Sequence, residues 1–364
     1  MKKETGDGRG GPMCPPVRRA DTQVGPYTCA TIDTRPRRQK WICFVVVAFA
    51  LTMCGAAAEA QQSTKIPRLG YLGATSLSII PDRIYAFRQG LRELGYVEGK
   101  NIVIDYRWAE GKMERLPDLA TELVRLKVDV IVTSGPTVTR AAKEALVTIP
   151  IVMANDTDPV GNGFVASLAR PGGNITGLAT FAPELSGKQL ELLKEIVSKL
   201  SRVAVLGNST QPGNALALRE IELAARAFKV QLQNLDVVDP TEIETAFRAA
   251  SKGRAEALLV LGGPVLFSNR KQIIDFAGKN RLPAIYERLE HVEAGGLMTY
   301  GPNINELHRR AATYVDKILK GRTPAELPVE QPIKFEFIVN LKAAKQIGLT
   351  VPPNVLARAD RVIR

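Results

Sequence analysis

The chain has 364 residues, 45% hydrophobic and 24% charged, with a net charge of +12. That length exceeds one ordinary core and favours about two globular domains. All four cysteines (Cys14, Cys29, Cys43, Cys54) precede residue 55, which excludes a disulfide framework, a cysteine zinc site and a cysteine nucleophile from the main body. Residues 1–60 hold nine Lys/Arg and five Asp/Glu; the remainder carries about +8 with signs interspersed, which signals no nucleic-acid surface.

Residues 1–34 are Gly/Pro-rich and polar, suggest no fold, and are consistent with a start codon placed too early. "RPRRQK" (Arg35 to Lys40) then reads as a basic n-region. "WICFVVVAFALTMCGAAA" (Trp41 to Ala58) reads as an apolar h-region, and "AEA" as a cleavage signal ending at Ala60. Left uncleaved, the same run is near the lower length of a spanning helix, so a permanent anchor is the alternative. "LTMC" offers Cys54 for lipid attachment, although Met53 is bulkier than the small residue expected there. A product beginning near Gln61, outside the cytoplasmic membrane, is expected.

From Lys65 onward strand-like and helix-like segments alternate. "IPRLGYLGA" is a strand, and "DRIYAFRQGLRELG" places Ile84, Phe87, Leu91 and Leu94 at helical spacing. "NIVIDYRWA", "VDVIVTSG", "IPIVMAND" and "NITGLATF" are further strands; "RLPDLATELVRLK" and "TVTRAAKEAL" are helices. The rhythm restarts with the helix "GKQLELLKEIV". The strands "RVAVLGN", "VQLQNLDV", "ALLVLGG" and "PAIYE" follow, separated by amphipathic helices. "GGLMTYG", "INELHRRAATYVDKILKG", "VEQPIKFEFIVN" and "LKAAKQIGL" close the chain as strand, helix, strand and helix. The expectation is an α/β protein of two doubly wound parallel-sheet lobes. In such sheets a ligand sits beyond the carboxyl ends of the strands.

The strand-end loops therefore supply the candidates. They are Ser76 after the first strand, Trp108 after the second, Ser134 and Thr137 after the third, and Asp156 after the fourth. The second unit offers Asn208, Gly263 and Tyr286, and Tyr300 lies in "MTYGPN". Ser134 and Thr137 flank Gly135-Pro136 at a helix start, where free N–H groups suit a carboxylate or phosphate. Ser134 can equally cap that helix. Asp156 suits a ligand ammonium or is a solvated loop acid.

The stretch "NDTDPVGNGFVASLARPGGNITGL" fits neither a metal loop nor a phosphate loop. Counted from Asp156, calcium-loop position 5 is Val160 and position 12 is Ser167, neither of them the required ligand. No G-x-x-x-x-G-K-[ST] and no dinucleotide glycine triplet occurs there. Asp158-Pro159 reads instead as an N-cap before a short helix "GFVASLAR", with a turn at "RPGGN". His291 and His308 lack metal-ligand spacing and read as ordinary surface residues. No G-x-S-x-G nucleophile elbow is present.

The stretches "FRQGLRELGYVEGKNIVIDYRWAEG", "IPIVMANDTDPVGNGFVASLARPGGNITGL" and "DKILKGRTPAELPVEQPIKFEFIVNLKAAKQIGL" resemble the substrate-binding proteins of ABC transporters. The resemblance is to the group related to tryptophan- and tyrosine-binding proteins, and covers about residues 66–360. It implies a type I periplasmic-binding fold with three hinge crossovers. One lobe would hold 66–180 and 297–325, the other 181–296 and 326–360. It implies a monomer that binds a small polar solute, an amino acid or related organic acid, and passes it to a membrane permease with its ATPase. Neither cofactor nor metal is implied. Ser76, Ser134 and Thr137 would take a carboxylate, Asp156 an ammonium, and Trp108, Tyr286 and Tyr300 an apolar side chain. A ligand-sensing module for a membrane sensor, or an enzyme in the same cleft, would use the same fold. Nothing in the sequence supplies the enzyme with an acid/base pair or nucleophile.

Overall fold

The strand–helix rhythm becomes structure wherever apolar residues recur on one face. The computed structural model describes residues 65–145, 148–180, 182–211 and 213–364. The targeting segment, its cleavage point near Ala60 and the four cysteines lie outside the described residues. Among the described residues no helix is long and apolar enough to cross a membrane.

The first lobe opens with β1 (Arg68–Gly73), α1 (Pro81–Glu93), β2 (Val103–Trp108), α2 (Leu116–Arg125) and β3 (Val130–Ser134). It continues with α3 (Pro136–Ala145), β4 (Ile151–Thr157) and β5 (Ile175–Thr180). Helix α1 begins on Pro81, which has no N–H to lose there, and buries Ile84, Phe87 and Leu91 on one stripe. The five strands are parallel in the order β2-β1-β3-β4-β5. Successive strand residues enter opposite cores. Leu69 and Tyr71 face one cluster and Leu72 the other; Val130 and Val132 oppose Ile131.

The second lobe contains α4 (Ala182–Ile196), β6 (Arg202–Gly207), α5 (Asn214–Phe228), β7 (Gln231–Asp236), α6 (Ile243–Lys252) and β8 (Ala257–Val260). Short α7 (Pro264–Ser268), α8 (Arg270–Lys279), β9 (Ala284–Tyr286), α9 (Leu289–Glu293) and β10 (Met298–Pro302) follow. Helix α10 (Ile304–Leu319) then returns to the first lobe, where Leu307, Ala311 and Val315 join the cluster holding Phe87 and Leu91. After α10 the chain runs beside β5, with Glu330 N donating to the Gly177 carbonyl at 3.0 Å. It re-enters the second lobe as β11 (Phe335–Asn340), α11 (Leu341–Gln346), α12 (Pro353–Leu356) and β12 (Arg361–Ile363). The second sheet runs β12-β11-β10-β9-β8-β6-β7, and only β10 and β11 are antiparallel. The chain thus passes three times between two parallel-dominated sheets, the doubly wound two-lobe architecture expected.

Three expectations need correction. Residues 297–302 belong to the second lobe rather than the first: β10 is bonded between β9 and β11, with Met298 in that core, while 327–330, expected in the second lobe, pack in the first through Leu327 and Val329. The return to the first lobe therefore starts at Asn303, whose side chain accepts from Glu306 N and caps α10. The short helix "GFVASLAR" does not form: 159–163 is a turn in which Gly163 keeps a positive φ (68°), and 164–170 holds bends without regular structure. Asp158 still acts structurally, its Oδ1 accepting from Gly161 N at 2.8 Å. His291 and His308 are buried rather than at the surface (4% and 0% exposed).

Candidate functional site

The carboxyl ends of strands from both sheets face one another across a cleft, and the cleft holds a cavity of about 120 Å³. Its first-lobe wall is Thr75 after β1, Arg83 on α1, Ser134 to Thr137 after β3, and Asn155 and Thr157 at the end of β4. The second-lobe wall includes Gln189 on α4, Gln211 and Asn214 before and on α5, Gly262 and Gly263 after β8, Phe267, and Glu287 and Arg288 after β9. Ile80, Pro136, Leu185, Ala217 and Leu261 add apolar surface. An engineered apolar cavity of about 150 Å³ accepts benzene, so a solute as large as an aromatic amino acid fits this one with the lobes further apart than they stand here.

Three of the nine candidates stand on this wall. Ser134 Oγ donates to Asn155 Oδ1 at 2.5 Å, and Gly135 N donates to the Asn155 carbonyl at 2.8 Å, fixing the turn into α3. Pro136 is the first residue of α3, so Gly135 rather than Ser134 holds the N-cap position. Thr137 Oγ1 donates across the cleft to Gln211 Oε1 at 3.4 Å. Gly263 has φ 150°, an extreme that a side chain rarely adopts, and a Cβ there would lie 3.2 Å from Gln211 Cγ.

The other six are turned elsewhere. Ser76 shares a hydrogen bond with Ser78 (2.8 Å) outside the cavity, while Thr75 beside it lines the wall. Trp108 packs on Tyr106 (centroids 5.9 Å, planes 8° apart) and on Tyr71 at the sheet edge. Asn208 is buried and builds a turn: Oδ1 accepts from Thr210 N at 2.9 Å, and its carbonyl accepts from Asn214 Nδ2 at 3.0 Å. Tyr286 is buried and stacks on His291 at 4.9 Å. The Tyr300 ring lies against Phe335 and Phe337, and its carbonyl accepts from Gln189 Nε2 at 2.8 Å.

Asp156 is the largest change. It is fully buried, accepts from Thr139 Oγ1 at 2.7 Å, and stands outside the cavity wall. Burial pushes its carboxyl up to about 8, and the Thr139 hydrogen bond only partly opposes this. A carboxyl turned into the lobe and held neutral over most of the pH range is no ammonium receptor.

The charges at the cavity come instead from Arg83, Glu287 and Arg288. Arg83 crosses from the first lobe to Glu290 in the second, with Nε at 2.8 Å and Nη2 at 2.5 Å from Glu290 Oε1. Burial works against the Glu290 charge, but Arg83 and Arg288 outweigh it and hold the carboxyl down to about 2. The Arg83 guanidinium also lies 4.5 Å from the centre of the Phe267 ring, a cation–π contact between lobes. Arg83 and Glu290 are 207 residues apart, and no local pattern links them.

The model of the family described as "ABC transporter substrate binding protein" matches residues 82–363. The chain is 26% identical to a tyrosine-binding protein of Clostridioides difficile (strain R20291) over 263 residues, 72% of this chain and 75% of that protein. It is similar to the crystal structure of a conserved domain protein from Vibrio cholerae: 28% identity, TM-score 0.77, 82% of this chain and all of that one covered. A Streptococcus pneumonia ABC domain in complex with L-Trp shares the fold at 24% identity, TM-score 0.76, over 82% of this chain and 99% of that one.

Proposed function

This chain belongs to the ABC transporter substrate-binding protein family, and on that premise we propose that it captures one amino acid between its lobes and delivers it to a membrane permease. The observation that carries this reading is the cavity at the strand ends, about 120 Å³, walled by both lobes. Its charged groups cancel: Arg83 pairs with Glu290, and Arg288 stands beside Glu287. A zwitterion enters such a site without adding a net buried charge, whereas a simple anion or cation adds one. The ligand carboxylate is assigned to Thr137 at the start of α3, whose hydroxyl gives up only a 3.4 Å bond to Gln211, whereas the Ser134 hydroxyl is already spent on Asn155. The apolar wall with Phe267 takes the side chain, in keeping with the tyrosine and tryptophan named for the relatives. Closure of the two lobes about the three crossovers traps the ligand and forms the surface that the permease meets. The protein acts outside the cytoplasmic membrane as a single copy.

The test is a thermal-shift screen of the mature chain against the common L-amino acids and small neutral sugars. A ligand at a hundred times its Kd stabilises by about 2.7 kcal/mol, which raises Tm by roughly 4 °C in a protein of this size. Such a shift with an aromatic amino acid is expected. A shift with sugars alone would remove the amino acid from the reading.

A further inference from the structure

We propose that Glu287 is the residue that selects an ammonium group on the ligand, the role the sequence suggested for Asp156. The inference rests on the amino-acid reading of the cavity and assigns within it the determinant of specificity.

Among the described residues lining the cavity, Glu287 is the only acid. It directly follows β9, whose pairing with β8 and β10 fixes the backbone there. Tyr286, one residue earlier, is buried in the lobe, so the alternation of the strand turns Glu287 the other way. Gly262 on the neighbouring β8 end makes room for it: a Cβ at Gly262 would collide with Glu287 Oε2. The carboxylate is thus seated over bare backbone at the cavity wall.

Its bonding capacity is unspent. The nearest cation, Arg288 Nη2, stands 3.5 Å from Oε1, well beyond the 2.7–2.9 Å or so of a charge-assisted hydrogen bond. The Arg83–Glu290 pair differs, with guanidinium nitrogens at 2.5 and 2.8 Å from the carboxylate. Arg288 Nη1 is itself buried without a hydrogen-bond partner. Arg288 therefore stands beside Glu287 without saturating it, and so acts as a positioning residue. A carboxylate with open acceptor positions on the wall of a small cavity is satisfied by a donor that carries positive charge. A primary ammonium supplies three such N–H groups, and a sugar hydroxyl supplies one that is uncharged.

The experiment is calorimetric titration of the mature chain with L-tyrosine and L-tryptophan and with their counterparts lacking the amino group. Wild type, Glu287→Gln, Gly262→Ala and the double variant are compared, with folding checked by circular dichroism. Wild type should prefer the amino acid over its deaminated counterpart by about 10- to 100-fold. Glu287→Gln should bring the two within about threefold by weakening the amino acid alone. Gly262→Ala, which displaces the carboxylate, should weaken the amino acid in wild type and add nothing in the Glu287→Gln background. If Glu287→Gln fails to fold, the loss of preference in Gly262→Ala alone carries the test. Unchanged preference in the folded variants overturns the role of Glu287 and leaves the amino-acid reading standing. Wild-type binding of neither amino acid overturns both.

Discussion

Three buried titratable side chains set opposite limits on the pH range of this protein. Asp156 is pushed from 3.8 up to about 8 by burial. The unfolded chain releases that proton near pH 4 and the folded chain keeps it to about 8, so stability falls as pH rises between them. His291 and His308 are pushed from 6.5 down to about 3, again by burial. Their unfolded forms take up protons below about 6.5 while the folded forms do not, so stability falls as pH drops from there. Two histidines outweigh one aspartate between pH 4 and 6.5, which places the stability maximum near pH 6.5. Asp156→Asn, which keeps an acceptor for Thr139, should abolish the decline between about pH 6.5 and 8. Urea midpoints at about pH 5, 6.5 and 8 measure it, and a variant that loses stability in parallel with wild type would disprove the assignment. The same variant should bind ligand with wild-type affinity, because Asp156 is not on the cavity wall.

At the scale of elements, the packing of α10 on α1 ties the returning chain to the first lobe. The two helices approach closely because Gly90 presents no side chain: a Cβ there would collide with the Arg309 carbonyl oxygen. That obstacle is backbone and cannot rotate aside. Gly90→Ala should therefore cost about 1–3 kcal/mol of stability by forcing the helices apart, despite alanine's better helix propensity. Chemical denaturation reads the cost directly, and a gain in stability would show that the helices have room to spare. The elements themselves were legible in advance: the α1 and α10 stripes follow the 3.6-residue period, and the strands carry turn residues at both ends. The failed helix after Asp158 was not legible, because its apolar residues Phe164 and Val165 satisfy the first-lobe core from irregular backbone as well as from a helix.

Across the whole molecule, Arg83 to Glu290 is the buried ionic contact that links the lobes, reinforced by Arg83 on Phe267. Glu290→Gln leaves the Arg83 guanidinium buried without its counter-charge, a cost on the order of 3 kcal/mol or more that opening the cleft relieves. The variant should show a larger radius of gyration by X-ray scattering without ligand, and weaker ligand binding. The exchange Arg83→Glu with Glu290→Arg should recover part of both. Equal scattering from variant and wild type would show that the pair does not bias closure. The alternation of strands and helices is written locally, so the sequence alone determined the two α/β units and directed attention to the strand ends. Which residue at a strand end meets the ligand is a different question. Side chains alternate at every residue, and pairing shifts register after Thr133 and between Met153 and Asp156. One position therefore separates Thr75 from Ser76, Asn155 from Asp156, and Glu287 from Tyr286, and in each pair the neighbour of the expected residue lines the cavity. Only the folded sheets decide that step, because the face a residue takes depends on strands and lobes distant from it in the chain.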